Sequence, residues 1–515
     1  MLCSFSMEDF MSSNEIDDVF NNIDENVNVP IDKELENKVK DYFSDMIVLK
    51  NPLRTQFFNN LSLPSYMRDW IIMKFSDHDG NFEQGNVLSY IKKYIPSRND
   101  YNELKYNMIN GETVRFLARI RVSVNIKTGM TEFELPDFGG TRNGAGGEVA
   151  KEVTEKWKGI LLKENENWGI LDLTWDRDFS QKKGGGKIIL TGFQQFCPYT
   201  VDIDVFKTIR KNFSITEWVD ILIGAVDYNP TGYDNEEQKL YFLCRLLPFV
   251  QRRINLIELA PKGTGKSYVY EKISKHGWLQ AAGTISRASL FYNNNTKTSG
   301  LLTNFDFIAF DEIQTMTFTN PTEIQTALKH YMEFGEVKGF DSSIVADAGI
   351  IILGNIEAAK FNIDVNMVNE INPIFRESAT LDRFHGFIPG WEIPRLNQGI
   401  IANGWALNTE YFAEVLHNLR EELNYSKVID DLLIIPQKAD QRDLVAIKRI
   451  SEGFLKLLFP HVENANDIDS DDFSKYCLEP AKEMRKTIKK QLCIVDPGEF
   501  DISGKRDIPN IQVRQ

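Results

Sequence analysis

The chain is poor in the features that mark exported, metal-stapled or membrane-spanning proteins. Its five cysteines, Cys3, Cys197, Cys244, Cys477 and Cys493, are odd in number and scattered, with no C-x-x-C pair. That excludes a disulfide framework, argues against zinc and predicts reduced thiols in the cytoplasm. No apolar run reaches the eighteen or so residues needed to cross a bilayer. The first residues lack the basic and apolar stretches of a leader. A protein neither exported nor membrane-spanning is expected. Positive charge is also scarce, with a net charge of −15 over 515 residues. The deficit is uneven: residues 1–50 carry twelve acids and four lysines, about −8, so the remainder is only mildly acidic and leaves room for a basic groove. No internal repeat is seen.

What is present centres on Asn255 to Tyr270, NLIELAPKGTGKSYVY. An apolar run leads into a glycine-bearing turn and then a helix opening on Lys266 and Ser267. A polyphosphate needs converging backbone N–H groups, a lysine for its outer phosphates and a hydroxyl for magnesium, and Ala260, Pro261, Lys262, Gly263, Thr264, Gly265, Lys266 and Ser267 supply them in that order. Ala260 stands where the first glycine of G-x-x-x-x-G-K-[ST] is usual, while Gly263 and Gly265 keep positive φ available. Downstream, Asn304 to Ile313 (NFDFIAFDEI) reads as a buried strand whose carboxyl-terminal end carries Asp311 and Glu312. Ligands of parallel α/β sheets lie beyond the carboxyl ends of the strands. Asp311 is therefore expected to hold Mg²⁺ with Ser267, and Glu312 to accept a proton from the attacking water.

A third strand ends at Asn355, placed to orient that water or touch the γ-phosphate. Arg383, in Leu381 to Phe387, is expected to reach a neighbouring subunit's nucleotide as an arginine finger. Arg442, early in an amphipathic helix from Asp440, stands where a second sensor arginine belongs. Each has an ordinary reading taken alone: a surface turn, a strand meeting solvent, a turn-forming asparagine, an ion pair with Asp382, a solvated arginine. Their joint order resembles that of an AAA+ ATPase using ATP and Mg²⁺.

The resemblance sharpens at Asn255 to Tyr270, Phe310 to Ile313 (FDEI), Asp382 to His385 (DRFH), Ile388 to Pro394 (IPGWEIP) and Gly453 to Pro460 (GFLKLLFP). These stretches are similar to the BrxL family, Lon-like AAA+ proteins of BREX bacteriophage-exclusion systems. Weaker similarities at Phe138, Pro198, Asp227 to Pro230 and Tyr476 to Ala481 extend it over about nine-tenths of the chain. The resemblance implies a homo-oligomeric, hexameric ring, DNA binding and other BREX proteins as partners. Family members often carry a C-terminal Lon-type peptidase domain, which is not expected in the sequence to Gln515. The Ser503 and Lys505 pair lies in a Gly/Pro-punctuated tail, so peptidase activity is not expected of this chain.

The expected fold is multidomain. An acidic tail (1–33) precedes a helical region (34–111), a small β-rich, OB-like domain with period-two alternation (112–200), an α/β AAA+ P-loop core (201–395), a helical lid (396–490) and an extension (491–515). In the β-rich domain, Arg119 and Arg121 are expected to share one strand face, joined by Lys182, Lys183 and Lys187 of a glycine-rich loop that follows a phosphate backbone without reading bases. A solvated hairpin tip is the ordinary alternative. Lys338, in Gly335 to Val345, is expected at the tip of a pore-facing hairpin, with an ordinary helix-to-strand connection as its alternative. The functional expectation is an ATPase ring that binds or moves along DNA. An unfoldase serving a separate protease, kept open by Phe340, and a slow nucleotide-gated scaffold are the rivals.

Overall fold

The structure, a computed structural model, describes residues 32–51, 65–96, 100–125, 128–135, 146–162, 167–176, 186–196, 201–281, 283–293, 298–338, 343–502 and 506–514. The chain forms two compact units. One is built on Trp70–Thr200, and the other joins the segment ending at Asp69 to Val201–Gln515. The region expected to be helical over 34–111 is thus shared between them. Its helix Lys33–Phe43 belongs to the larger unit, as does strand Ile47–Lys50, which pairs antiparallel with Gly404–Leu407. Helices Gln84–Tyr94 and Tyr101–Ile109 belong to the smaller unit.

In the smaller unit, β1 (Val114–Asn125), β2 (Met130–Glu134), β3 (Gly146–Val149), helix α1 (Lys151–Leu161), β4 (Asn167–Asp176) and β5 (Lys187–Gln195) follow in sequence. The strands close into a barrel in the order β1-β2-β3-β5-β4. The β3–β5 pair is parallel and the rest antiparallel. Alternation builds the interior: Phe116, Ile120, Phe133, Leu171, Leu173 and Leu190 meet Val153 and Leu161 of α1 in one apolar cluster. β1 departs from simple alternation, with Leu117 and Arg119 buried as well. The helix at 84–94 packs on this strand, and the helix at 101–109 adds Met108 to the same apolar cluster.

The larger unit holds a five-stranded parallel sheet. Its strands are β6 (Asn255–Ala260), β7 (Gly277–Gln280), β8 (Phe307–Phe310), β9 (Gly349–Asn355) and β10 (Gly386–Pro389), in spatial order β10-β6-β9-β8-β7. Every residue of β6 and β8 is buried, as expected of parallel strands covered on both faces. The loop strand and the Asp311 strand are not neighbours, because the Asn355 strand lies between them. Helix α2 (Lys266–Lys272) follows β6 across the phosphate-type loop, and α3 (Pro321–Phe334) precedes β9. Later come α4 (Gln441–Leu458) and α5 (Glu479–Val495). Ile324, Leu328 and Tyr331 of α3 and Ile488 and Leu492 of α5 share one core with Ile257, Ile308, Phe310, Ile350 and Ile352. Each such side chain contributes roughly 1.5–3 kcal/mol by leaving water. The region 396–490, expected as a helical lid, holds helices but also strands Gly404–Leu407 and Leu433–Ile434, and α5, which runs past its end, packs directly on β10. Within the acidic stretch Glu463 to Asp472, Asp469 caps the helix Ser470–Phe473 by accepting from the amides of Asp471 and Asp472. Among the described residues no helix is long and apolar enough to cross a membrane.

Candidate nucleotide site

Beyond the carboxyl ends of β6, β9 and β8 the expected residues assemble. Asn355, the last residue of β9, sits in register with Ala260, the last of β6. Lys266 Nζ donates to Asn355 Oδ1 at 2.7 Å. The lysine is 2% exposed and makes no ion pair among the described residues. A buried ammonium compensated only by a neutral amide is incompletely satisfied, and an anion completes it. Gly263 and Gly265 have φ of 80° and 69°, in the left-handed region. Gly265 caps α2 without any side-chain hydrogen bond, so the first-turn amides face outward for a ligand. Ser267, half-buried, is the second residue of that helix.

Asp311 follows β8 directly and is half-buried, and its Oδ1 accepts from the Glu312 amide at 2.8 Å. Glu312 is exposed and has φ of 46°, unusual for a residue with a side chain. The turn thereby presents both acids at the strand tip. The residues fit a magnesium nucleotide: a buried cation, an uncapped helix start, a hydroxyl and a carboxylate pair lie at the ends of nearby strands.

Several supports of this loop escape sequence reading. Arg245, fully buried, donates to Glu258 Oε1 at 2.6 Å and to the Thr264 carbonyl at 2.8 Å, bracing the loop from behind. Burial opposes the Arg245 charge, but the Glu258 carboxylate outweighs it and raises the arginine's pKa. The available signal was an arginine inside the apolar run Leu243 to Leu247 and an acid inside a wholly buried strand, since neither is buried alone. Tyr228 Oη donates to the Gly265 carbonyl at 3.2 Å. It leaves no space for a Cβ at Gly265. Gly390 lies so close to the Ala260 methyl that a side chain there would collide with it. The glycine missing from the loop's first position is therefore matched by one after β10. Gln314 Nε2 donates to the Asn355 carbonyl at 2.8 Å and fixes that strand end.

The two arginines lie elsewhere. Arg383 precedes β10, and the next residue but one, His385, donates its amide to Asn255 at the start of β6. Arg383 thus stands at the amino end of the sheet, opposite its own phosphate loop. Its Nε is 3.2 Å from Glu333 Oε2. Arg442 is beside it: Nη1 donates to Asp382 Oδ2 at 2.7 Å and Nη2 lies 3.5 Å from Glu333 Oε2. Burial opposes the Arg442 charge, but the bond to Asp382 outweighs it and raises its pKa. The structure brings the two arginines together and does not bring Arg442 to Lys266.

Among the described residues, the candidate DNA contacts do not form an open basic face. Arg119 is 7% exposed, and Arg121 is half-buried opposite Glu134. Lys187 is paired with Glu148. Lys182 and Lys183 lie outside the described residues, as does Phe340. Lys338 is the last residue of strand Glu336–Lys338, paired with Ser343–Val345 in a hairpin, and its side chain is outside the described set.

Comparison with known proteins agrees with this geometry. Residues 188–505 match the family described as Lon-like protease BrxL-like, ATPase domain, and residues 41–175 match that described as BREX system Lon protease-like protein BrxL N-terminal. The chain is 27% identical over 473 residues to the Lon-like protease BrxL of Escherichia coli O9:H4 (strain HS), covering 91% of this chain and 66% of that protein. To the Lon-like protease BrxL of Bacillus cereus (strain H3081.97) it is 27% identical over 472 residues, covering 89% and 67%. It spans about two thirds of the length of these curated relatives. With one match over most of the larger unit and another over much of the rest, the chain belongs to the BrxL family of Lon-like proteins.

Proposed function

We propose that the chain is an ATP-hydrolysing AAA+ subunit of a hexameric ring that binds or moves along DNA in BREX-type defence against phage. The observation that carries the ATPase reading is Lys266, buried without an ion pair and aimed at Asn355 where three strands end. The loop amides and Lys266 hold the phosphates, Ser267 and Asp311 hold Mg²⁺, Asn355 orients the attacking water and Glu312 takes its proton. Bound Mg²⁺ neutralises charge on the phosphate oxygens. Arg383 and Arg442, at the far end of the sheet, serve the nucleotide of the adjacent subunit, so Arg442 acts beside the finger rather than on its own loop.

For DNA the support is the barrel. Its strand order, the parallel β3–β5 pair and the helix between β3 and β4 agree with the OB type, whose strand face and loops take nucleic acid. The second reading, an ATP-dependent unfoldase acting on protein, is favoured by the printed name of both relatives, Lon-like protease.

ATPase and DNA-retention assays on the wild type, Lys266→Ala and Glu312→Gln test the proposal. Both variants are expected to lose turnover, with Glu312→Gln still binding ATP. Normal turnover in either refutes the site. DNA affinity that falls steeply with salt supports the DNA reading, whereas salt-insensitive polypeptide binding supports the unfoldase.

A further inference from the structure

One buried polar cluster outside the nucleotide site takes no part in phosphate chemistry. It joins Lys50, Ser65, Arg68, Asp69, Asp227 and Tyr268, none more than 7% exposed. Arg68 Nη2 donates to Asp227 Oδ1 at 2.6 Å and to Asp69 Oδ1 at 2.8 Å. Lys50 Nζ is 2.8 Å from Asp227 Oδ1 and donates to the Ala225 carbonyl at 2.9 Å. Thr409 gives its amide to Asp69 Oδ2 at 3.0 Å. Tyr268 closes the group: its hydroxyl donates to Asp227 Oδ2 at 2.8 Å and lies 2.6 Å from Ser65 Oγ.

Two cations and two carboxylates are thus taken out of water together. Burial alone would raise the Asp227 pKa, but Arg68 and Lys50 outweigh it and hold the carboxyl well below its ordinary range. Such clusters are a weak source of stability compared with apolar packing of the same volume, and their best-attested use is to fix one arrangement among several. Two features say which arrangement is fixed. Tyr268 is on α2, one residue past Ser267, so the cluster grips the helix that starts at the phosphate loop. Asp227, held at φ of 72°, precedes Tyr228, whose hydroxyl holds the Gly265 carbonyl.

The other end of the cluster lies on the helix Ser65–Phe75, whose residues up to Asp69 belong to the larger unit and whose residues from Trp70 belong to the smaller. Within the smaller unit, Trp70 packs on Phe196, just past β5, with ring centroids 4.5 Å apart. Consecutive residues of one helix therefore belong to the cluster that grips α2 and to the packing of the barrel unit.

We infer that Tyr268, Asp227 and Arg68 form a positioning relay through which filling of the nucleotide loop is read by the helix 65–75, and so by the barrel unit. A displacement of α2 on binding phosphate moves the Tyr268 hydroxyl against two hydrogen-bond partners, one on that helix and one shared with Arg68. The relay rests on the reading of the loop as a nucleotide site and assigns that site's regulation.

The test is hydrogen–deuterium exchange of the full-length assembly with and without Mg²⁺ and adenylyl imidodiphosphate, comparing wild type, Tyr268→Phe and Arg68→Lys. In wild type, the analogue is expected to slow exchange at the loop, 260–267, and at 65–75. Tyr268→Phe loses one oxygen, and Arg68→Lys keeps the charge but not the two-carboxylate fork. Both are expected to bind the analogue within about threefold of wild type and protect the loop, yet lose most of the response at 65–75, in the range of typical coupling factors of about 5–150. Wild-type protection at 65–75 in either variant overturns the relay. So does a wild type that protects its loop with no change at 65–75. A wild type that binds no nucleotide overturns both the relay and the site, which separates the two failures.

Discussion

At the carboxyl end of the five-stranded sheet a buried cation, Lys266, meets a neutral amide, whereas at the amino end charged groups are already paired or saturated. Arg420, 1% exposed, donates to the carbonyls of Pro248, Gln251, Asp306 and Asp347, which close the approach to β6, β8 and β9. Arg485, fully buried, binds Asp443, Asp382 and the Phe384 carbonyl before β10. Backbone groups that no strand partner can reach are thus satisfied from within the chain at one end. At the other, the start of α2 has no side-chain cap and Lys266 has no charged partner among the described residues. The contrast separates arginines buried within the fold from Arg383 and Arg442, which both approach the partly exposed Glu333, Arg442 from its bond to Asp382.

The comparison breaks most visibly if the far arginines serve the neighbour's loop. Arg383→Ala is expected to lower ATP turnover by about 10³-fold or more, with little change in thermal midpoint. Subunits carrying Arg383→Ala and subunits carrying Lys266→Ala, each inactive alone, are expected to regain activity when mixed. An equal mixture gives a complete site at about a quarter of the interfaces of a closed ring. No recovery in the mixture would place the arginine's action within its own subunit.

Next in size is the proton acceptor. Glu312→Gln keeps the shape of the turn but cannot take a proton, and loss of a general base costs roughly 10²–10⁴ in rate. Nucleotide binding, followed by titration with a fluorescent analogue, is expected to survive. The opposite end responds the opposite way: Arg420→Met strands four carbonyls, two of them in buried bonds, and Asp306, costing ~3–5 kcal/mol by analogy with breaking a buried pair. A thermal midpoint lower by on the order of 10 °C, with near-normal turnover per folded molecule at low temperature, is the expected outcome.

This division also explains what could be read before the fold was known. The phosphate loop was legible because its chemistry is compressed into Ala260 to Ser267, and Asp311, Glu312 and Asn355 because each ends an apolar run. Their supports were not, since Arg245 reaches Thr264, Tyr228 reaches Gly265 and Gly390 reaches Ala260 only through folding. Arg442 could be assigned to a helix start from sequence, but only the packing of α4 and α5 at the amino end of β10 sets it beside Arg383 rather than Lys266. Arg119 shows the limit of alternation. Period two correctly marks β1 as a strand, yet it cannot tell that Leu117 and Arg119 on the alternate positions are buried as well. The barrel's existence was legible in the same way, while the division of the helices on either side of Asp69 was a matter of tertiary contact.

The smallest expected effect concerns pH. At the amino end His417 Nδ1 lies 2.7 Å from Asp306 Oδ2, and its ring stacks on His276 at 3.9 Å. His276 Nε2 in turn lies 2.9 Å from Glu414, and Lys275 and Arg420 complete the surrounding charges. Burial disfavours the charged imidazole, but the hydrogen bond and charge of Asp306, with Glu414 and Glu421, outweigh it and raise the His417 pKa. A raised folded-state pKa stabilises fully below the unfolded value, about 6.5, and the contribution is lost as pH climbs through the folded value above it. With the side chain 32% exposed, the effect is at most about 1 kcal/mol after solvent screening. The thermal midpoint of the wild type should therefore fall slightly from pH 6 to pH 8. His417→Gln should flatten that slope while turnover per folded molecule keeps its pH profile, because the pair lies at the end of the sheet away from the nucleotide. A shifted turnover profile in this variant would mean that the two ends are not independent, and the contrast between them would have to be redrawn.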